Sequence, residues 1–230
     1  MTSGLEHEWD AGRAELEWAG ERLVLLPERA VWWPAARTIF VADTHFGKDS
    51  AFRAASIPIP TGTTDHDLDR LDRVLRLAEA DRLVVLGDFY HARSGRSDAL
   101  SERLDAWRKH HEALDLVIVR GNHDLHAGDV PEAWSASVLD GPAADGPFLL
   151  AHDENDLTAA ASGFALTGHV HPGVRLSGAG GTGLVLPCFR FGHRTAVLPA
   201  FGSFTGLHMV RPARRDQVYV VADGEVHRVG

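Results

Sequence analysis

The chain is poor in cysteine. Cys188 stands alone among 230 residues, which excludes an intrachain disulfide framework and suits a reducing cytosol. It also lacks any apolar run of about 18 residues, the length a bilayer-crossing helix needs. Met1–Asp10 is acidic and polar, without the basic start and apolar stretch of a secretory signal. A cytoplasmic protein without membrane attachment is therefore expected. An excess of positive charge is missing as well: 23 Lys and Arg against 32 Asp and Glu leave a net charge of −9. That counts against a surface that wraps duplex DNA, although it permits a local basic path. The basic residues are nearly all arginine, which suits phosphate contacts but also follows from a compositional bias. Internal repeats and long linkers are absent too. With 44% hydrophobic residues, the length fits one globular domain over 1–230.

Apolar runs give the organisation. Residues 21–26 and 29–33 flank Pro27 and Glu28 as a hairpin, and 37–42 is a near-continuous apolar run, the pattern of a strand covered on both faces. Helix is expected from Gly47 to Ser56, until Pro58 and Pro60 forbid it. It is expected again over 65–80, where Leu68, Leu71, Val74, Leu75 and Ala78 recur at helical spacing. Residues 82–86 and 114–119 read as strands, with a helix over 98–111 between them, so this half predicts parallel strands joined by crossovers. After Gly141, the short runs 147–151, 163–167, 173–176, 183–189, 194–198, 206–210 and 217–221 predict a second, mostly antiparallel sheet. The glycine-rich stretch 177–183 is expected to be a mobile loop. Two sheets face to face with helices outside make a four-layer α/β/β/α sandwich.

Five short segments follow these strands: Asp43-Thr44-His45, Gly87-Asp88, Gly121-Asn122-His123-Asp124, His152 and Gly168-His169-Val170-His171. In open α/β sheets, sites form beyond the carboxyl ends of strands, so the five can converge in one crevice. Along extended chain, residues i and i+2 point the same way, which lets Asp43 and His45 reach one ion and repeats for His169 and His171. Asp88 is a carboxylate able to bridge two ions, with Gly87 allowing close approach. Asn122 and His152 complete seven donors, and His123 is left for proton chemistry. A mixed Asp, Asn and His set favours first-row divalent ions, Mn²⁺ first, with Fe²⁺ or Zn²⁺ as alternatives. Singly, each segment also reads as an ordinary polar turn; the ordered set is what chance does not supply.

That ordered set resembles the signature of the calcineurin-like metallophosphoesterases, a fold of two mixed sheets flanked by helices. The resemblance implies that Asp43, His45 and His171 hold one metal ion, that Asn122, His152 and His169 hold a second, and that Asp88 bridges them. It implies His123 as the catalytic histidine and Asp124 as its orienting partner. A narrower resemblance rests on "VLLPERAVWWPAARTIFVADTHFGK", "FRAASIPIPTGTT", "LVVLGDFYHAR", "VRGNHD" and "VLPAFGSFTG". These stretches look like the DNA-ligase-associated metallophosphoesterases, a bacterial group of endonucleases or phosphodiesterases of the DNA damage response, associated with a ligase and a large helicase. Gly87 to His91 is also similar to the Gly-Asp-Leu-Phe-His motif of the double-strand-break repair nuclease, which makes His91 a further active-site candidate. Thr44 departs from the narrower group, where leucine is usual, and should point away from the metals.

A phosphodiesterase that uses two divalent ions to cut DNA, in the service of DNA repair, is the activity the narrower resemblance implies, and the acidic chain suits single-stranded DNA as its substrate. The alternatives are a phosphodiesterase or phosphatase acting on small nucleotides or cyclic phosphates, and a non-catalytic protein-binding scaffold. Lys48 and Arg53 are candidates for a substrate phosphate, though a solvated helix face also accounts for them. Trp32, Trp33 and Trp107 could stack on bases, with packing the ordinary alternative. His7, His66, His110, His111, His126, His208 and His227 read as surface or satisfied residues, His193 is ambiguous, and Cys188 reads as packing.

Overall fold

The fully apolar runs become the centre of the first sheet. In the computed structural model, which describes residues 12–59, 62–158, 163–177 and 183–229, β1 (Ala14–Trp18), β2 (Glu21–Leu26), β3 (Ala30–Trp33) and β4 (Thr38–Val41) form an antiparallel meander. From β4 the pairing turns parallel through β5 (Arg82–Leu86), β6 (Asp115–Val119) and β7 (Ser137–Leu139). The crossovers carry α1 (Lys48–Ala54), α2 (Thr63–Leu77), α3 (Asp98–His110) and the single turn α4 (Asp124–Ala127). The expected parallel half is thus present, with β5 matching its predicted span.

The second sheet joins β8 (Ala143–Asp145), β9 (Phe148–Leu150), β10 (Phe164–Thr167), β11 (Pro172–Ser177), β12 (Gly183–Phe191), β13 (Thr195–Val197), β14 (His208–Met209), β15 (Gln217–Ala222) and β16 (Glu225–Val229). It is mixed: β10 runs parallel to both β9 and β13, and β11 parallel to β14, while the other pairs are antiparallel. The sheets face each other across a core in which Phe40, Val84 and Val117 meet Phe148, Phe189 and Phe191. Helices cover the outer face of the first sheet, where Leu71, Val74, Leu104 and Trp107 pack on Ile39, Leu83 and Leu116.

The fourth layer is thinner than the sequence suggests. Among the described residues no α-helix follows Ala127, and the outer face of the second sheet carries the small cluster of Cys188, Val218 and Val220. The expected loop over 177–183 lies largely outside the described residues. Cys188 is fully buried, as packing requires, and burial pushes its thiol up to about 12. The three candidate tryptophans are packing residues as well: Trp32 packs against the helix-side core, Trp33 lies edge-on to Phe148 with centroids 5.0 Å apart, and Trp107 Nε1 donates to Asp72 at 2.6 Å. Among the described residues no helix is long and apolar enough to cross a membrane.

Candidate metal centre

All five segments meet at one end of the two sheets. Asp43 and His45 follow β4, Asp88 follows β5, Asn122 and His123 follow β6, His152 follows β9, and His169 and His171 follow β10. The first two loops are zipped together: the Asp43 amide donates to the Gly87 carbonyl at 3.2 Å, and the His45 amide to the Asp88 carbonyl at 2.8 Å. The motif glycines permit this closeness. A Cβ at Gly87 would lie 2.0 Å from His152 Nδ1, one at Gly121 2.3 Å from Asp88 Oδ1, and one at Gly168 2.7 Å from Asp43 Oδ2.

The local backbone differs from expectation. Asp43, His45, Asp88, His169 and His171 have φ of 53°, 47°, 50°, 65° and 49°, so the paired donors sit in left-handed turns rather than on extended chain. They reach the same side through two successive kinks, not through strand alternation. Asp and His tolerate this region better than most residues, yet each such residue costs about 1–3 kcal/mol and persists only where the surroundings impose it. Here amides impose it. The Asp43 carboxylate accepts from the His169 amide at 2.9 Å, and Asp88 Oδ1 from the His123 amide at 2.9 Å.

Beside an all-imidazole group of His45, His91 and His123, two groups of donors that include a carboxylate result, Asp43 with His45 and His171, and Asp88 with His152 and His169, the ligating atoms of each lying within 4.8 Å of one another. Asp88 turns one oxygen to each group, Oδ2 lying 3.7 Å from His45 Nε2 and Oδ1 3.6 Å from His152 Nε2. Asn122 Oδ1 lies 3.0 Å from His152 Nε2 and so belongs with the second group. The carbonyl of Leu86, 3.1 Å from His152 Nδ1, requires an N–H there, which leaves Nε2 a lone pair facing Asn122, Asp88 and His169. Asp153 acts similarly on His169: its Oδ2 lies 3.4 Å from Nε2, which turns Nδ1 toward His152. Sequence reasoning missed Asp153; the available signal was a carboxylate next to a candidate ligand.

These residues fit divalent cations. Asp43 and Asp88 are essentially inaccessible, and among the described residues their ion-pair contacts are all with imidazoles. Burial, and then the charge of Asp43, push the Asp88 carboxyl above the usual carboxylate range against the pull of His152. His45 Nε2 faces His171 Nε2 at 3.2 Å, while His45 Nδ1 is buried without a hydrogen-bond partner. Lone pairs and buried negative charge converging without a compensating lysine or arginine pair are what a bound cation satisfies.

His123 stands beside this set. Its ring lies 4.9 Å from that of His45 and stacks at 4.9 Å on His91, which stacks in turn on Phe52 at 5.8 Å. Its Nδ1 donates to the His91 carbonyl at 2.6 Å, a bond that does not engage Nε2. Asp124 does not orient this ring as expected. Its carboxylate is engaged by the amides of Phe89, Tyr90 and Gly121 at 3.2, 2.9 and 3.0 Å, so it fixes the two loops that carry Asp88 and His123. Thr44 points away from the donors, its hydroxyl donating to the Phe89 carbonyl at 3.0 Å. Arg53 is tied to Asp49 at 3.1 Å, whereas Lys48 has no such partner among the described residues. His193 lies exposed in the turn between β12 and β13, and His111 pairs with Asp72 at 2.7 Å.

Burial first, then neighbouring His171, hold His45 far below the ordinary histidine value, and burial followed by Lys48 lowers His91 to about 4. The unfolded chain takes up these protons near pH 6.5, the folded chain only at lower pH. Unfolded protein therefore binds more protons in acid, and stability is lost as pH falls below about 6.5. Chelator-treated protein should melt progressively lower from about pH 7 to pH 4.5 in calorimetry; a constant melting temperature across that range would contradict buried neutral imidazoles.

On one flank of the centre lies a cleft of about 380 Å³ bordered by Asn122, Leu125, His169 and the carboxylates of Asp140, Asp153 and Asp156. Its arginine, Arg120, is paired with Asp129 and Asp140.

Residues 36–179 match the family model described as calcineurin-like phosphoesterase. The crystal structure of Pseudomonas putida nuclease MPE is similar at 37% identity and a TM-score of 0.80, covering 94% of this chain and 100% of that one. Two weaker likenesses are Yfce, a phosphoesterase from E. coli (16% identity, 84% and 97% covered, TM-score 0.39), and the protein of unknown function AQ665 from Aquifex aeolicus (21%, 58% and 78%, 0.37). No curated protein matches.

Proposed function

Because this chain belongs to the calcineurin-like phosphoesterase family, and is a metal-dependent phosphodiesterase of the nuclease kind, we propose that it is an endonuclease cutting single-stranded DNA with two Mn²⁺ ions, acting as one domain over residues 1–230 in DNA repair. The observation that carries the reading is Asp88, one oxygen toward each donor group, with His123 anchored beside it. Asp43, His45 and His171 would hold one ion and Asn122, His152 and His169 the other. Divalent ions bound there supply an acidic water and positive charge against phosphate oxygens. The ligand chemistry, Asp, Asn and His without thiolate, suits first-row divalent ions, with Mn²⁺ as the first choice and Fe²⁺ or Zn²⁺ as alternatives.

The chain's own groups supply the rest. With Nδ1 held by the His91 carbonyl, a protonated His123 presents Nε2–H to the leaving oxygen and prevents an alkoxide from being expelled unprotonated. His91, stacked against His123, is placed to hydrogen-bond a phosphate oxygen. The 37% identity to a nuclease over nearly the whole chain supports a nucleic acid substrate. A net charge of −9 and a cleft walled by carboxylates favour a flexible strand over a wrapped duplex. By family resemblance, a DNA ligase and a helicase are its expected associates, and the single cysteine suits a cytoplasmic location.

Purified protein with Mn²⁺ should cut circular single-stranded DNA, which has no ends, and convert it to linear fragments. An intact circle alongside turnover of a small phosphodiester would leave a small-molecule phosphodiesterase instead.

A further inference from the structure

The flank opposite the acidic cleft has a different character. There the loop after β13 runs beside the loop of Asp43 and His45 and presents Phe204, 39% exposed, a large aromatic ring that lines one hollow with His45. The loop is held firmly. The Ser203 amide donates to Asp67 Oδ2 at 3.0 Å, Arg70 Nη1 donates to the Ser203 hydroxyl at 3.0 Å, and the Thr205 hydroxyl donates to the Gly202 carbonyl at 2.9 Å. The Gly202 amide donates to the carbonyl of Asp43, itself a metal donor, at 3.2 Å, which fixes the loop's distance from the centre. Phe52 stands edge-on to Phe204 at 5.9 Å and, on its other side, against His91. Lys48 borders the same hollow as His45 and Phe204, its ammonium 5.9 Å from the Phe52 ring and without an ion-pair partner among the described residues.

We propose that this flank is a nucleotide subsite in which Phe204, backed by Phe52, stacks on the base next to the scissile phosphate while Lys48 holds an adjoining phosphate. A rigid exposed ring gains by covering a base face, and every base has one, so the contact tolerates any sequence. A cation beside the ring matches the alternation of base and phosphate along a strand. In a duplex that base face is already stacked, so the subsite selects unpaired nucleotides. The opposite flank, with three carboxylates around a paired arginine, repels the backbone and directs the strand across this side.

The inference rests on the nuclease reading, and the test separates the two. Steady-state kinetics of the Mn²⁺-loaded full chain are compared on a single-stranded oligonucleotide and on methyl p-nitrophenyl phosphate, which carries no base. For Phe204→Ala the KM on DNA should rise about tenfold more than on the diester, with kcat on DNA falling far less, and Phe204→Trp should restore it. Lys48→Gln should weaken DNA binding and flatten its salt dependence by about one phosphate contact. Equal losses on both substrates, or an unchanged KM on DNA, would overturn the subsite. Wild-type turnover of the diester without DNA cleavage would overturn the nuclease reading and the subsite with it.

Discussion

Asp88→Asn is expected to lower DNA cleavage about a thousandfold, equivalent to about 4 kcal/mol of transition-state stabilisation, and to strip bound metal at the same time. The reason is geometric. Asp88 is the one donor whose two oxygens face different groups, at 3.7 Å from His45 and 3.6 Å from His152, so losing its charge weakens both ion sites together. The fold should survive. The amide oxygen of asparagine can still accept from the His123 amide, and a neutral side chain removes a buried charge that Asp43 opposes. Metal-free Asp88→Asn should thus melt no lower than metal-free wild type in calorimetry, while elemental analysis of the loaded protein shows under-occupied sites. Full metal content would contradict a bridging carboxylate.

His123→Ala should fail differently: about 10²- to 10⁴-fold slower on DNA with metal content intact. No donor atom of His123 belongs to either ion group of the proposed centre, and its Nδ1 is fixed to the His91 carbonyl at 2.6 Å. If the ring's work is to protonate the leaving oxygen, the loss depends on how much that oxygen needs a proton. The deoxyribose alkoxide of DNA needs it; p-nitrophenolate is stable near neutral pH without it. Bis(p-nitrophenyl) phosphate should therefore be turned over by the variant with a distinctly smaller loss than DNA. Equal losses on the two substrates would remove the acid role and leave His123 as a phosphate contact.

Much of this is legible in the sequence, because the informative strands are buried at nearly every position. The runs that became β4, β5 and β6 are apolar at nearly every position, and a site at their carboxyl ends follows from topology. The topology brings Asp43 together with His45 and His171, and Asp88 together with His152 and His169, with Asn122 beside His152. Other features depend on tertiary choice. The short strands β7 and β8 are largely half-exposed and bear no continuous apolar run, so they went unseen. The parallel pairing of β10 with β9 and β13 reflects which neighbours the inter-sheet core admits, information no single run contains. Left-handed φ at five donors is invisible in a pattern, since Asp and His fit either conformation. Asp124 looked like a partner for its neighbour's ring, but three amides 2.9 to 3.2 Å away claim its oxygens. Phe204 carries no signal as one phenylalanine among ten; only its exposure on a pinned loop beside the centre distinguishes it.

The central claim is a pair of ions sharing Asp88, and anomalous diffraction from crystals grown with Mn²⁺ tests it most directly. Two peaks about 3.5–4 Å apart are expected, one among Asp43, His45 and His171, the other among Asn122, His152 and His169, with Asp88 between them. A single peak, or peaks that leave Asp88 outside ligand distance, would contradict it.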